Sequence, residues 1–207
     1  MRVRELAVAG ALEFTPEVFP DERGRFLSPF QRPAFTEAHG HPLFPVEQIS
    51  YSVSRRGVVR GVHYTVTPPG CAKYVFCSRG QVLDVVVDLR VGSPTFGAWD
   101  TVVLDTEDCR ALYLPVGVGH LFAALGDDAT MHYTMSVSYD PSRELALSPV
   151  DPGLGLPLDG VSGMVLSARD RAAPTLAEAR ERGLLPHYAA CREQEERLRA
   201  AAAGIRA

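Results

Sequence analysis

His63 and Lys73, placed on consecutive strand-like runs in GVVRGVHYTVTPPGCAKYVFCSRG (57–80), are the side chains of this sequence best suited to chemistry. A histidine takes up a proton near neutral pH, and a lysine ammonium stabilises negative charge that develops on an oxygen. Together they point to carbanion or enolate chemistry. A second signal, PxGxxH at Pro115, Gly117 and His120, lies downstream and tests whether a site is built around the first.

The elements that must position these residues read as mainly β. From Glu47 to Ser138 short runs rich in Val, Tyr, Phe and Thr are broken by PPG, SRG, GSP and GDD clusters, the spacing of a sandwich or barrel. In Gln81–Leu89, Leu83, Val85, Val87 and Leu89 share one parity and Asp84 and Asp88 the other, which reads as a half-buried strand. Tyr133 shares parity with Met131, Met135 and Val137 and is expected to point inward. Lys73 shares parity with Val75 and Cys77, and His63 with Gly61 and Val59, so both are expected inside. Arg60 has the opposite parity from His63, and whether Gly61 bends the strand enough to unite them is left open.

Upstream, VRELAV and ALEFT read as short strands and PEVFPDERGRF as a surface loop, with a short helix near Pro33–His39. After Tyr139, prolines at 141, 149, 152 and 157 forbid a long regular element. Thr175–Arg182 and Cys191–Ala203 read as helices separated by Gly183 and Pro186. The expected organisation is one domain, with 1–46 packing on the barrel or on a partner subunit, 47–150 as the core and 151–207 as an irregular segment with C-terminal helices.

Composition narrows the classes. The chain has 207 residues, 46% hydrophobic and 22% charged, as in ordinary globular proteins. No apolar run approaches the roughly 20 residues of a membrane span, and the apolar stretch in MRVRELAVAG is too short for a secretory signal, so a cytoplasmic protein with no membrane partner is expected. Four cysteines lie far apart without a CxxC pair, against a zinc knuckle or redox motif. A net charge of −4 gives no general attraction to nucleic acid, so an anionic ligand must be held by local arginines.

Gly57, His63, Pro115, Gly117 and His120 fit the outer parts of the metal-binding cupin pattern. Thr65 stands where its second histidine belongs and Lys73 where its acid belongs. A cation in the ligand set opposes a divalent metal. The chain therefore resembles the cupin fold, an all-β double-stranded β-helix or jelly roll, without its metal.

A more specific resemblance comes from six blocks in one order: DERGxF, RGVHY, AKYV, DLRxGSPTFGxW, PxGxxHxF and LSARDR. From about Pro16 to Leu185 the chain resembles the dTDP-4-keto-6-deoxyhexose epimerases, the family of dTDP-4-dehydrorhamnose 3,5-epimerase. HYT in place of HYQ looks like the branch that makes antibiotic deoxysugars. The resemblance implies His63 as base, Asp170 as its orienting partner, Lys73 as stabiliser of the enolate and Tyr133 as acid, with no metal or cofactor. It implies substrate contacts from Gln48, Arg60, His120, Tyr139, Glu144 and Arg169. It also implies a homodimer in which Arg23 and Phe26 reach the neighbouring subunit's nucleotide. The chemistry agrees: inverting a carbon beside a ketone needs a base, a positive donor for the enolate oxygen and an acid on the opposite face.

Each residue has a plainer reading. Tyr133 alone is more often core, Asp170 a helix cap, Lys73 a solvated charge, His120 a core histidine, and any one arginine a surface charge. Ser28 and Ser50 stand where the rhamnose enzymes have glutamate and asparagine, which bears on sugar contacts and on whether carbon 3, carbon 5 or both are inverted. The rivals are a 3,4-ketoisomerase of the same cupin class, a non-catalytic sugar-nucleotide-binding cupin and a metal-dependent cupin oxygenase.

Overall fold

The computed structural model describes residues 1–204. In chain order its strands and helices are β1 (Arg2–Glu5), β2 (Leu12–Thr15), β3 (Val18–Asp21), β4 (Gly24–Leu27), α1 (Arg32–His39), β5 (Gln48–Ser54), β6 (Val59–Thr65), β7 (Lys73–Arg79), β8 (Gln81–Asp88), β9 (Trp99–Asp105), β10 (Ala111–Leu114), β11 (Val118–Ala124), β12 (Ala129–Met135), β13 (Glu144–Ala146), α2 (Ala168–Arg171), α3 (Leu176–Glu181) and α4 (Tyr188–Gly204). A six-stranded sheet, β1-β2-β10-β7-β12-β5, faces a five-stranded sheet, β13-β6-β11-β8-β9. This is the cupin-type jelly roll that the strand pattern and the resemblance led us to expect, with its helices mainly C-terminal.

Three apolar layers follow from the strand parities. Between the sheets lie Val75, Val82, Val86, Leu112, Leu114, Phe122 and Met131. Outside the five-stranded sheet, Val59, Val85, Val87 and Leu121 are covered by Leu147, Leu154, Leu156, Leu158 and Ala179 from the proline-rich segment and α3. Outside the six-stranded sheet, Phe14, Tyr74 and Tyr113 pack with Phe35 of α1 and Cys191 of α4. The C-terminal region thus turns one sheet of a two-layer sandwich into a central layer.

That covering corrects the reading of β8. The strand is buried on both faces, and its odd residues Val85 and Val87, with Leu89 just after it, face the C-terminal segment rather than the space between the sheets. Asp84 and Asp88 share the inward face with Val82 and Val86 and are both fully buried. A period-two pattern reports which residues share a face, and a later part of the chain decides which face is inside. The PEVFPDERGRF stretch is also corrected: Val18–Asp21 pairs with Gly24–Leu27 as a two-stranded hairpin. The helix at Arg32–His39 matches expectation, as do α3, with a Thr175–Glu178 capping box, and α4, which starts three residues before Cys191.

Two of the sequence blocks contain residues with structural roles. In DLRxGSPT, the Asp88 carboxylate accepts from Arg90 Nε and Nη2 at 2.8 Å each and from the hydroxyls of Ser93 and Thr95 at 2.6 Å. Burial alone would raise the Asp88 carboxyl, but Arg90, Ser93 and Thr95 together hold it below the usual carboxylate range. In PxGxxH, Gly117 has φ +83°, and a Cβ there would come within 2.4 Å of Cys191 Sγ, so the glycine lets α4 close on the barrel.

Removing one partner of a buried, multiply bonded ion pair leaves the other charge uncompensated, at about 3–5 kcal/mol. Asp88→Ala is therefore expected to lower the unfolding free energy by that amount, seen in equilibrium unfolding as a lower urea midpoint with little change in slope.

Candidate active site

A cavity of about 350 Å³ opens between the sheets. Of the residues singled out in the sequence, His63, Lys73, Tyr133, His120, Gln48, Arg60, Tyr139, Glu144 and Arg169 line it together. Asp170 does not line it and is buried behind His63.

The question left open at Gly61 is answered by the register of β6 against β11. His63 lies opposite His120 and Arg60 opposite Phe122, so three steps on β6 match two on β11. This bulge inserts one residue and reverses the parity between Arg60 and His63. Val59 therefore faces outward, contrary to simple alternation, while Arg60 and His63 both line the cavity. Gly61 is required there: its φ is +122°, and a Cβ would meet the His120 carbonyl oxygen at 2.3 Å.

His63 Nε2 lies 2.7 Å from Asp170 Oδ1. A carboxylate only accepts, so Nε2 carries the proton and Nδ1 keeps the free lone pair. Asp170 sits in α2, where Ser167 caps the turn by accepting from the Asp170 N–H at 3.0 Å. Ser167, not Asp170, is the cap. Burial pushes the His63 imidazole below its ordinary value, outweighing the Asp170 carboxylate that raises it, and Arg169 and Lys73 lower it further. Burial alone would raise the Asp170 carboxyl, but His63, Ser167 and Arg169 keep it low. The pair is thus a neutral imidazole on an ionised carboxylate at neutral pH.

Tyr133 projects from β12 on the facing sheet, and its hydroxyl lies 3.2 Å from Ser52 Oγ. Burial pushes the phenol well up, so it holds its proton. Lys73, on β7, makes no hydrogen bond or ion pair among the described residues and leaves its ammonium for a ligand. Arg60 Nε donates to Ser54 Oγ at 3.1 Å, Gln48 accepts from the Tyr139 N–H at 2.7 Å, and Glu144 accepts from the Thr65 hydroxyl at 2.6 Å. Thr65, at the position of a cupin's second histidine, thus serves to hold Glu144.

Some residues escaped the sequence reading. Asp84 binds His120 Nε2 at 2.8 Å, and its Oδ1 is buried without a partner among the described residues. His120 is therefore a cavity-lining residue held by a carboxylate, rather than a core histidine satisfied by backbone. Cys71 and Phe122 also line the cavity, together with Ser50, Met135 and Val137, which the sequence reading had placed near it. Parity could have paired Asp84 with His120 had the inward face of β8 been known. Arg23 and Phe26 lie on the β3–β4 hairpin and do not line this chain's cavity. Arg23 pairs with Asp21 at 2.6 Å and Phe26 is 69% exposed.

Both imidazoles have Nε2 engaged by a carboxylate. Among the described residues no group of three or more His, Cys, Asp and Glu converges as a metal site. The fold and this donor set define a jelly-roll protein with an acid–base site. The dTDP-4-dehydrorhamnose 3,5-epimerase family pattern matches residues 5–178. A dTDP-4-dehydrorhamnose 3,5-epimerase of Mycolicibacterium smegmatis is 51% identical over 96% of this chain and 98% of that one. A dTDP-4-dehydrorhamnose 3-epimerase of Streptomyces niveus is 52% identical over 92% and 91%. The crystal structure of a 3'-monoepimerase from Streptomyces bikiniensis in complex with dTDP-quinovose superposes with a TM-score of 0.90 at 47% identity, covering 95% of this chain and 99% of that one. The chain belongs to the dTDP-4-dehydrorhamnose 3,5-epimerase family.

The environment of His63 sets a titration. Its midpoint should lie below the ordinary 6.5 and fall further in Asp170→Asn, which removes the charge that raises it. Histidine NMR as a function of pH checks both, and a midpoint above 6.5 would contradict this electrostatic account.

Proposed function

We propose that this protein epimerises a dTDP-linked 4-keto-6-deoxyhexose at carbon 3, carbon 5 or both, in the biosynthesis of an antibiotic deoxysugar. The observation that carries the proposal is the placement of His63, backed by Asp170 of α2, on one sheet and of the Tyr133 phenol on the facing sheet, across one cavity. Inversion needs a base and an acid on opposite faces of one ring.

Neutral His63 takes the hydrogen beside the ketone through Nδ1. The imidazolium that results is stabilised by Asp170. The electron pair of the broken C–H bond moves to the ketone oxygen, where the Lys73 ammonium stabilises the enolate. Tyr133 delivers a proton to the other face, and solvent exchange restores both groups. Arg60 and Arg169 suit the diphosphate and Tyr139 the thymine ring, while Gln48, His120 and Glu144 contact the sugar. The relatives' names include both 3,5-epimerases and 3-epimerases, which supports the reaction class and leaves the choice of carbon to experiment.

The protein acts in the cytoplasm as a homodimer in which the 1–46 region contributes to the neighbouring site. This is supported by the outward row of edge strand β5, Ile49, Tyr51 and Val53, which is 53–70% exposed, and by the exposed hairpin carrying Arg23 and Phe26. A dimer mass by light scattering is expected, and Arg23→Ala should raise KM with little change in kcat.

The reaction is tested with dTDP-4-keto-6-deoxyglucose in deuterated water, followed by NMR. Deuterium is expected beside the ketone with inverted configuration, and a displaced ketone or no label would overturn the proposal. His63→Ala should cut deuterium uptake by about 10²–10⁴-fold. Tyr133→Phe should lose inverted product while uptake continues.

A further inference from the structure

The inward row of β5 is polar: Gln48, Ser50, Ser52 and Ser54 alternate with Ile49, Tyr51 and Val53 on the outward face. Three of these four have defined roles at the cavity's edge. Gln48 Nε2 donates to Ser50 Oγ at 2.8 Å, and Ser54 holds Arg60. Ser52 is the one directed at Tyr133. On the paired strands Ser50 lies opposite Tyr133 and Ser52 opposite Met131, so Ser52 reaches the phenol diagonally. Its Oγ is the hydrogen-bond partner of the Tyr133 hydroxyl among the described residues, at 3.2 Å.

In a pair of hydroxyls one donates and the other accepts. If the phenol donates to Ser52, its proton points at the strand and away from the sugar. If Ser52 donates to the phenol, the proton is free to point into the cavity. Transfer to the enolate carbon breaks the phenol O–H bond and forms a C–H bond from the enolate's electron pair. The O–H pair stays on Tyr133 as a phenolate, which regains a proton from water. The donor arrangement serves both stages, since a hydrogen bond to an anionic acceptor is stronger than one to its neutral form.

We infer that Ser52 is a positioning residue for the proton donor: its hydroxyl donates to Tyr133, aims the phenol proton at the sugar and supports the phenolate left after transfer. The inference rests on the epimerase reading. Base-side chemistry at His63 does not pass through Ser52, so the two halves of the reaction separate.

The experiment measures, for the same sample in deuterated water, uptake at the carbon beside the ketone and formation of inverted product. Uptake by His63 alone returns a deuteron to the original face. Ser52→Ala is expected to keep wild-type uptake and to lower the ratio of inversion to uptake about tenfold, as for loss of one hydrogen bond to a charged group. Ser52→Thr should restore the ratio, and Ser52→Ala should not lower it further in a Tyr133→Phe background. Should the alanine variant not fold, Ser52→Thr against the isosteric Ser52→Val makes the same comparison at constant shape. An unchanged ratio in Ser52→Ala or Ser52→Val, or an equal loss of uptake and inversion, would overturn the role of Ser52 while leaving the epimerase reading intact. Absence of uptake in the wild type would overturn both.

Discussion

The joint placement of Arg60 and His63 at this site depends on one irregularity in β6. With strict alternation, Arg60 and His63 would leave the strand on opposite faces, one toward the cavity and one toward the covering segment. The extra residue opposite β11 brings both inward, and Gly61 makes it feasible because the His120 carbonyl occupies the space of any Cβ. The same register sets His63 directly opposite His120. His63 and Arg60 therefore share the cavity with His120 because of one glycine.

Around that break, carboxylates fix the cationic and imidazole groups. Asp170 holds His63, Asp84 holds His120 and Asp88 holds Arg90. Unpaired buried charges are costly, so each carboxylate is placed where a partner and further donors meet it. The consequences differ by location. At Asp88 four side-chain hydrogen bonds lock the loop before β9, and nothing is left for a ligand. At Asp170 the partner is an imidazole with one nitrogen still free. Lys73 completes the contrast, as an ammonium without a carboxylate among the described residues. Paired carboxylates hold structure or an imidazole, and the unpaired ammonium is the group the proposed mechanism assigns to the enolate.

Much of this was legible in the chain itself. Lys73 and Tyr133 sit on regular strands, so parity with Val75, Cys77, Met131 and Met135 placed them inside. His63 was placed inside for the wrong reason, since its supposed companion Val59 faces outward across the bulge. The pairing of Asp170 with His63 spans 107 residues and leaves no local trace in periodicity. It came instead from the resemblance. Asp84 was assigned to the face opposite the core because the apolar residues of β8 were taken to point between the sheets. They point to the segment around Leu147–Leu158, whose irregular, proline-rich sequence carries no sign of covering a sheet. The hairpin β3–β4 was hidden by its prolines and charges, which suit an exposed two-stranded element as well as a loop.

Ser52 escaped for the same physical reason in its sharpest form. QISYSVS alternates cleanly, and an apolar–polar alternation ordinarily turns its apolar row toward the core. Here Ile49, Tyr51 and Val53 face out and the serines face in, because the inside of the barrel at this end is a polar cavity rather than packed core. An edge strand is held by backbone bonds on one side only, in this case by β12, which carries Tyr133. Contact on the outward row would therefore restrain the same backbone that aims Ser52 at the phenol. The alternation that looks inverted for stability leaves one strand with an exposed apolar row, the face the proposed dimer would use, and a row of hydroxyls on the cavity side.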